Sequence, residues 1–224
     1  MRRLVGFILV LLLAYPAAVV VLGAAYLAVP PVSTLMLGRW LTLRGAEQVY
    51  KPLAEIAPVL PAAAMASEDA RFCLHRGVDW KALSDVMEDA DEGGPSRGAS
   101  TIPMQVAKNL FLWPGRSYLR KAMEIPIALY LGAIWPKRRM MEVYLNIAEW
   151  GEGIFGAEAA ARRHFRKSAA DLTRREAALL VAALPNPRQR DPARPSRLMN
   201  AKAGRILARI PQTPTQCLRA GPRG

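Results

Sequence analysis

Ala66-Ser67-Glu68-Asp69-Ala70-Arg71-Phe72-Cys73-Leu74-His75-Arg76-Gly77 sets two adjacent acids directly after an apolar run, Leu60 to Ala66, whose alanines read as a buried helix. Acids at a helix C-terminal end face the negative pole of the macrodipole, a local cost of about 0.3–1 kcal/mol. Carboxylates held against that preference beside apolar packing suit proton transfer, because burial raises a carboxyl pKa. The plainer reading is an exposed acidic helix end. These residues alone leave the two open.

Downstream, Arg97-Gly98-Ala99-Ser100-Thr101-Ile102 leads through Gln105 to Lys108-Asn109. Glycine and small hydroxyl residues open a helix whose first amides could bind an oxyanion. Gln105, Lys108 and Asn109 share one polar face, as on any exposed polar helix. A third block, Arg116 to Pro126, carries Arg120, Lys121 and Glu124. At i,i+4 and i,i+3 these three also fit an ordinary surface ion pair. Pro126 means that a helix starts near Glu124 or bends there.

From Lys137 to Gly151, Met141, Tyr144, Leu145 and Ala148 recur at helical spacing, with Glu142 and Asn146 displaced from the stripe and Gly151 as the expected stop. Thr173 and Glu176 have capping-box spacing, a structural account of that acid. Asp89 to Gly98 reads as a loop by composition.

The N-terminus holds an uncharged run from Leu4 to Val29, enough for roughly 39 Å of helix at about 1.5 Å per residue. It reads as an uncleaved membrane anchor kinked at Pro16; a cleavable signal ending near Gly23-Ala24-Ala25 is the alternative, although the run is long for one. Arg2 and Arg3 before the span place the N-terminus in the cytoplasm. Residues 1–31 are then a cytoplasmic stub and anchor, and 32–51 a juxtamembrane segment whose Trp40 sits at headgroup depth. The main domain spans 52–210, and 211–224 is a frayed tail. The net charge of +13 is read as attraction to an anionic membrane surface rather than to nucleic acid, since zinc-finger spacing and RNA-binding aromatic signatures are absent from the sequence. Two cysteines, Cys73 and Cys217, leave pairing open.

Taken in order, the blocks resemble the peptidoglycan glycosyltransferases, the lysozyme-like family that includes the N-terminal domains of class A penicillin-binding proteins and free-standing monofunctional enzymes. The resemblance spans Pro52 to Pro187 through five motifs: Glu68-Asp69-x-x-Phe72-x-x-His75-x-Gly77; Gly98 to Ile102 through Gln105 to Lys108-Asn109; Arg120-Lys121-x-x-Glu124; Lys137-Arg138-Arg139 through Tyr144-Leu145-Asn146; and Leu172-Thr173-x-x-Glu176-Ala177-Ala178 through Leu184-Pro185-Asn186-Pro187. Ile147-Ala148-Glu149-Trp150-Gly151 and Pro30 to Thr34 look like the monofunctional branch, and no Ser-x-x-Lys of a transpeptidase occurs.

The resemblance implies a mainly α, lysozyme-like glycosyltransferase domain after one transmembrane helix, facing the periplasm from the inner membrane. It implies polymerisation of lipid II into glycan strands, with lipid II, the growing strand, the membrane and other cell-wall synthesis proteins as partners. Glu68 matches the general base. Glu124 matches a second acid that orients the donor phosphates directly or through a divalent ion, Mg²⁺ or Mn²⁺. Lys108, Arg116 and Lys121 match positions contacting the diphosphate or its sugar, with Ser100, Thr101, Gln105, Asn109, Arg120, Tyr144 and Asn146 as further substrate-binding positions. Asp69 is expected to support motif geometry, and Phe72 to be core. Pro103-Met104 stand where the family usually has Thr or Ser and then Gln, which implies a stiffer second-motif loop with one polar contact missing, and Gly132 stands where many members carry an acid. A lysozyme-like hydrolase using paired carboxylates is the alternative.

Overall fold

The computed structural model describes residues 2–91, 98, 100–115 and 117–219, with the side chains of 2–12, 87 and 89–91 outside the description. The chain is mainly helical. In order come α1 (Arg2–Ala25), α2 (Thr34–Leu41), β1 (Glu47–Gln48), α3 (Val59–Glu68), α4 (Trp80–Asp91), α5 (Ile102–Phe111), α6 (Tyr118–Ile134) and α7 (Lys137–Ile147). Then follow β2 (Glu149–Gly151), β3 (Ile154–Phe155), α8 (Ala157–Phe165), α9 (Arg174–Ala183) and α10 (Arg197–Arg209).

The core is built on α3. Leu60 through Ala66 are buried along it, as the apolar run predicts. It packs against α9 and α10, and α5 packs against α6 and α7. Ala63, Ala64, Ala177, Ala178 and Ala182 are fully buried. Such short side chains let helix axes approach closely, which is why an alanine-rich sequence can build this centre. Phe72, Tyr144, Trp150 and Phe155 fill the larger spaces. Thr173 and Glu176 form the expected capping box at the start of α9.

α1 continues through Pro16. Its C-terminal half is tied to the α6–α7 corner: Tyr130 donates its hydroxyl to the Val20 carbonyl at 2.7 Å, and Trp135 Nε1 donates to the Gly23 carbonyl at 2.8 Å. Arg139 donates to the Tyr26 and Val29 carbonyls just beyond. Among the described residues no helix is long and apolar enough to cross a membrane. α2 buries Met36, and the Thr34 hydroxyl donates to the Leu112 carbonyl at 2.6 Å, so α2 sits against the end of α5.

Three features differ from expectation. The helix after Lys137 does not run to Gly151. It ends at Ile147, and residues 149–151 form β2 in a small sheet of order β1-β3-β2. Glu152-Gly153, with Gly153 at φ +73°, makes a two-residue turn between β2 and β3, so the glycine closes a hairpin rather than a helix. Of the two readings of Pro126, a helix start near Glu124 is excluded, since both residues lie within the single element α6. Finally, the segment after Ile210 is not frayed up to residue 219. Cys217 is disulfide-bonded to Cys73, and Arg138 donates to the Leu218 carbonyl at 2.6 Å. That bond joins the C-terminal segment to the turn just after Glu68-Asp69.

Gly77 and Gly132 explain each other. A Cβ on Gly77, at φ +102°, would lie 2.5 Å from the Ala128 carbonyl oxygen, and one on Gly132 would lie 2.7 Å from the Gly77 nitrogen. Here α6 meets the turn after His75 backbone to backbone, which leaves no room for an acid at position 132.

Candidate active site

The C-terminal end of α3, one face of α5 and the first turns of α6 converge on a cleft of about 440 Å³. Glu68, Ser100, Gln105, Lys108, Asn109, Arg120, Lys121 and Glu124 all line it. Residues more than fifty apart in sequence therefore meet at one site. Arg116, also expected here, lies outside the described residues.

Glu68 closes α3 and is partly exposed to the cleft. Its oxygens accept from neutral donors, the Ser67 hydroxyl at 2.8 Å and Gln105 Nε2 at 3.3 Å. Glu124 is in the opposite state. It is almost fully buried, with one oxygen held by Arg120 and the other by Lys121 Nζ at 2.9 Å. Lys121 also donates to Ser100 at 2.7 Å, which links the second and third sequence blocks. Burial pushes the Lys108 ammonium below its usual range, and the Glu124 charge opposes that shift. The cleft thus has one carboxylate bonded to neutral groups and a second locked among cations.

Asp69 organises the site from behind. One of its oxygens accepts the Ile102 amide at 2.9 Å, and His75 Nε2 contacts the other at 2.9 Å. Thr101 is the N-cap of α5: its hydroxyl accepts the Met104 amide and donates to the Gly77 carbonyl at 2.5 Å. These bonds overturn the expected oxyanion site at the start of α5. Ile102 N–H serves Asp69, Pro103 has none, Met104 N–H serves Thr101, and Gln105 N–H bonds the Thr101 carbonyl. Every first-turn donor is consumed inside the protein. Pro103 costs little there, since an amide at that position has no intrahelical partner, and Met104 is a core residue.

Two more expected contacts lie behind the cleft. Tyr144 is fully buried, and its hydroxyl donates to Gln105 Oε1 at 3.5 Å. Burial, then the charges of Glu68 and Asp69, hold its phenol well above the ordinary tyrosine range, so it remains a donor. Asn146 faces elsewhere: it exchanges bonds with the Lys51 amide and carbonyl, both at 2.8 Å, and donates to the Glu142 carbonyl. With that hydrogen-bonding capacity spent on backbone, its role is to hold the chain before α3.

Other residues at the site were not singled out as contacts from the sequence, although Ser67, Glu149, Leu184 and Pro185 stand in the stretches quoted above. Ser67 bonds Glu68, while Leu35, Glu149, Leu184 and Pro185 line the cleft. Lys202 on α10 is half-buried; burial lowers its pKa and the charge of Glu68 opposes the shift. Its place on a basic helix beyond the five motifs gave nothing to single it out. A resident divalent ion does not fit the residues around Glu124. Cations already take both oxygens, and among the described residues no three acids, histidines or cysteines gather as a ligand set.

The transglycosylase family matches residues 36–211. A biosynthetic peptidoglycan transglycosylase of Brucella suis biovar 1 (strain 1330) is 54% identical over 194 residues, covering 87% of this chain and 84% of the relative. Proteins of the same name from Rhizobium meliloti (strain 1021) and Rhodopseudomonas palustris (strain HaA2) are 53% and 50% identical, each covering 93% of this chain and 88% and 93% of the relative. With an alanine-built helical core, a cleft lined by residues of four of the five motifs, and this similarity along most of its length, the chain belongs to the transglycosylase family.

Proposed function

We propose that this protein is a peptidoglycan glycosyltransferase that polymerises lipid II into β-1,4-linked glycan strands, with Glu68 as general base. The observation that carries the reading is the asymmetry of the two carboxylates. Glu68 accepts only from neutral groups among the described hydrogen bonds, whereas Glu124 is neutralised by Arg120 and Lys121. Glu68 takes the proton of the acceptor 4-hydroxyl as that oxygen bonds to the donor's anomeric carbon. The bond from that carbon to the diphosphate breaks, its electron pair leaves on the diphosphate, and the centre inverts. Lys108, Arg120 and Lys121 supply positive charge where negative charge develops. Glu124 acts by fixing two of these cations. A hydrolase of the two-carboxylate type needs a second acid free to donate or attack, and Glu124, buried between two cations, does not suit that work.

The protein works at a membrane in this reading, anchored through Leu4–Val29 with the catalytic domain on the periplasmic side. Support comes from the uncharged sequence within α1 and from Leu37, Trp40, Leu41 and Leu43, which are exposed on α2 and the turn after it while Leu35 lines the cleft.

The test is a lipid II turnover assay on full-length protein in detergent, with products resolved by gel. A ladder of glycan strands from the wild type, absent in Glu68→Gln of unchanged melting temperature, is expected. Retained turnover in that variant would remove Glu68 from the base role.

A further inference from the structure

Beyond Pro187, which lines the active cleft, lies a second cavity of about 490 Å³ that the reaction does not use. Its wall carries Arg163 and Arg166 at the end of α8, and Arg188, Arg190 and Arg194 on the segment between α9 and α10. Two of these guanidiniums are engaged. Arg188 pairs with Glu149 at 3.3 Å, across the boundary between the two cavities, and Arg190 donates to the Ala182 carbonyl at 3.0 Å. The nearby Asp191 is occupied by His164 Nδ1 at 3.3 Å and by the Ala193 amide at 2.9 Å. Among the described residues no carboxylate lies within 4.0 Å of the Arg163, Arg166 or Arg194 guanidinium.

The positive surface continues outward. A groove of about 470 Å³, lined by Arg39 and Arg44 together with Glu47, shares Arg163, Glu152 and Ile154 with the cavity. No lysine and no aromatic residue other than His164 lines either one. Planar guanidinium forks suit carboxylates and phosphates, and the missing aromatic platforms argue against single-stranded nucleic acid. The apolar side chains expected of a lipid-immersed surface are also sparse, with Ile154 the one large aliphatic in the lining.

We propose that this arginine trough binds the carboxylates of the peptide side chains on the nascent peptidoglycan strand as it passes out of the cleft over Pro187. The proposal rests on the polymerase reading above. Each peptide-bearing sugar brings anionic groups opposite the Arg163, Arg166 and Arg194 guanidiniums, which have no carboxylate partner among the described residues, through charge-assisted hydrogen bonds. The strand is thereby held between couplings, so the trough acts on product length rather than on the chemical step.

The test is fluorescence anisotropy with a labelled, lipid-free glycan oligomer, either bearing its peptides or stripped of them by an amidase. Full-length wild type is compared in neutral detergent with the triple variant Arg163→Gln/Arg166→Gln/Arg194→Gln. All three replaced side chains are exposed. The single variants Arg163→Gln and Arg194→Gln serve if the triple variant melts early. The peptide-bearing oligomer is expected to bind the triple variant about tenfold more weakly than wild type, with a partial loss in each single variant. The stripped oligomer should bind every protein equally weakly. Equal affinity of wild type and triple variant overturns the proposal, as does equal affinity for the two oligomers. So does a triple variant that loses only binding to anionic-lipid vesicles, which would assign the trough to headgroups. Because binding is read without turnover, failure here is distinct from failure of the Glu68 assay.

Discussion

Gln105 stands between Glu68 and Tyr144, donating its amide nitrogen to Glu68 Oε2 at 3.3 Å and accepting the Tyr144 hydroxyl on Oε1 at 3.5 Å. A buried phenol that stays protonated offers Gln105 a hydrogen, so the amide oxygen must face Tyr144 and the NH₂ must face Glu68. Tyr144→Phe frees the amide to turn. Turnover should fall roughly fivefold, the scale of one modest hydrogen bond, with little change in apparent substrate affinity. A turnover number equal to that of the wild type would show that Tyr144 is only packing.

Glu124 is nearly fully buried with Arg120, so the two are expected to fail together better than apart. Arg120→Leu should lose about 3–5 kcal/mol of stability, because a buried carboxylate is left with Lys121 alone. The double variant Arg120→Leu/Glu124→Leu should be more stable than that single one, though inactive. Urea unfolding of the four proteins in the cycle decides this; purely additive losses would count against a coupled pair.

The bond between Cys73 and Cys217 closes 144 residues. Cys217→Ser should cost about 2–4 kcal/mol. It should also open the segment after Ile210 to proteolysis before the rest of the domain, since Arg138 and the disulfide are its named ties. Cleavage kinetics indistinguishable from wild type would contradict that account.

Lys137 gives a pH signature. Its ammonium donates to the Phe72 and His75 carbonyls, and burial pulls its pKa from 10.5 down to about 8, with Asp69 opposing. Between those values the unfolded chain holds the proton that the folded one has released, so stability rises with pH across that window. Lys137→Met should flatten the rise. Denaturation series from pH 7.5 to 10.5 check this, and an unchanged slope would assign the rise to other groups.

Much of this was legible in the order of short motifs. Leu60–Ala66 announces a buried helix, Thr173 and Glu176 announce a capped one, and Glu68, Gln105, Lys108, Lys121 and Glu124 all reach the cleft. These rest on local periodicity, capping chemistry and residue type, which the chain carries along its length. Whether a carboxylate works by holding a proton or by holding cations depends on what stands opposite it, and that partner comes from elsewhere in the fold. Sequence spacing therefore left Glu68 and Glu124 as candidate acids to which only the family resemblance gave separate roles, while packing gives each its own surroundings. The same holds for the first amide of α5, that of Ile102, taken by Asp69 from 33 residues away, and for Asn146, turned toward Lys51. It holds too for Cys73 and Cys217, whose Cα atoms come within 5.5 Å. The sequence by itself determined the helices, the family pattern and the inventory of charged groups. Only the tertiary structure decided which of those groups meet, because burial and hydrogen-bond pairing are properties of distances that a linear order does not contain.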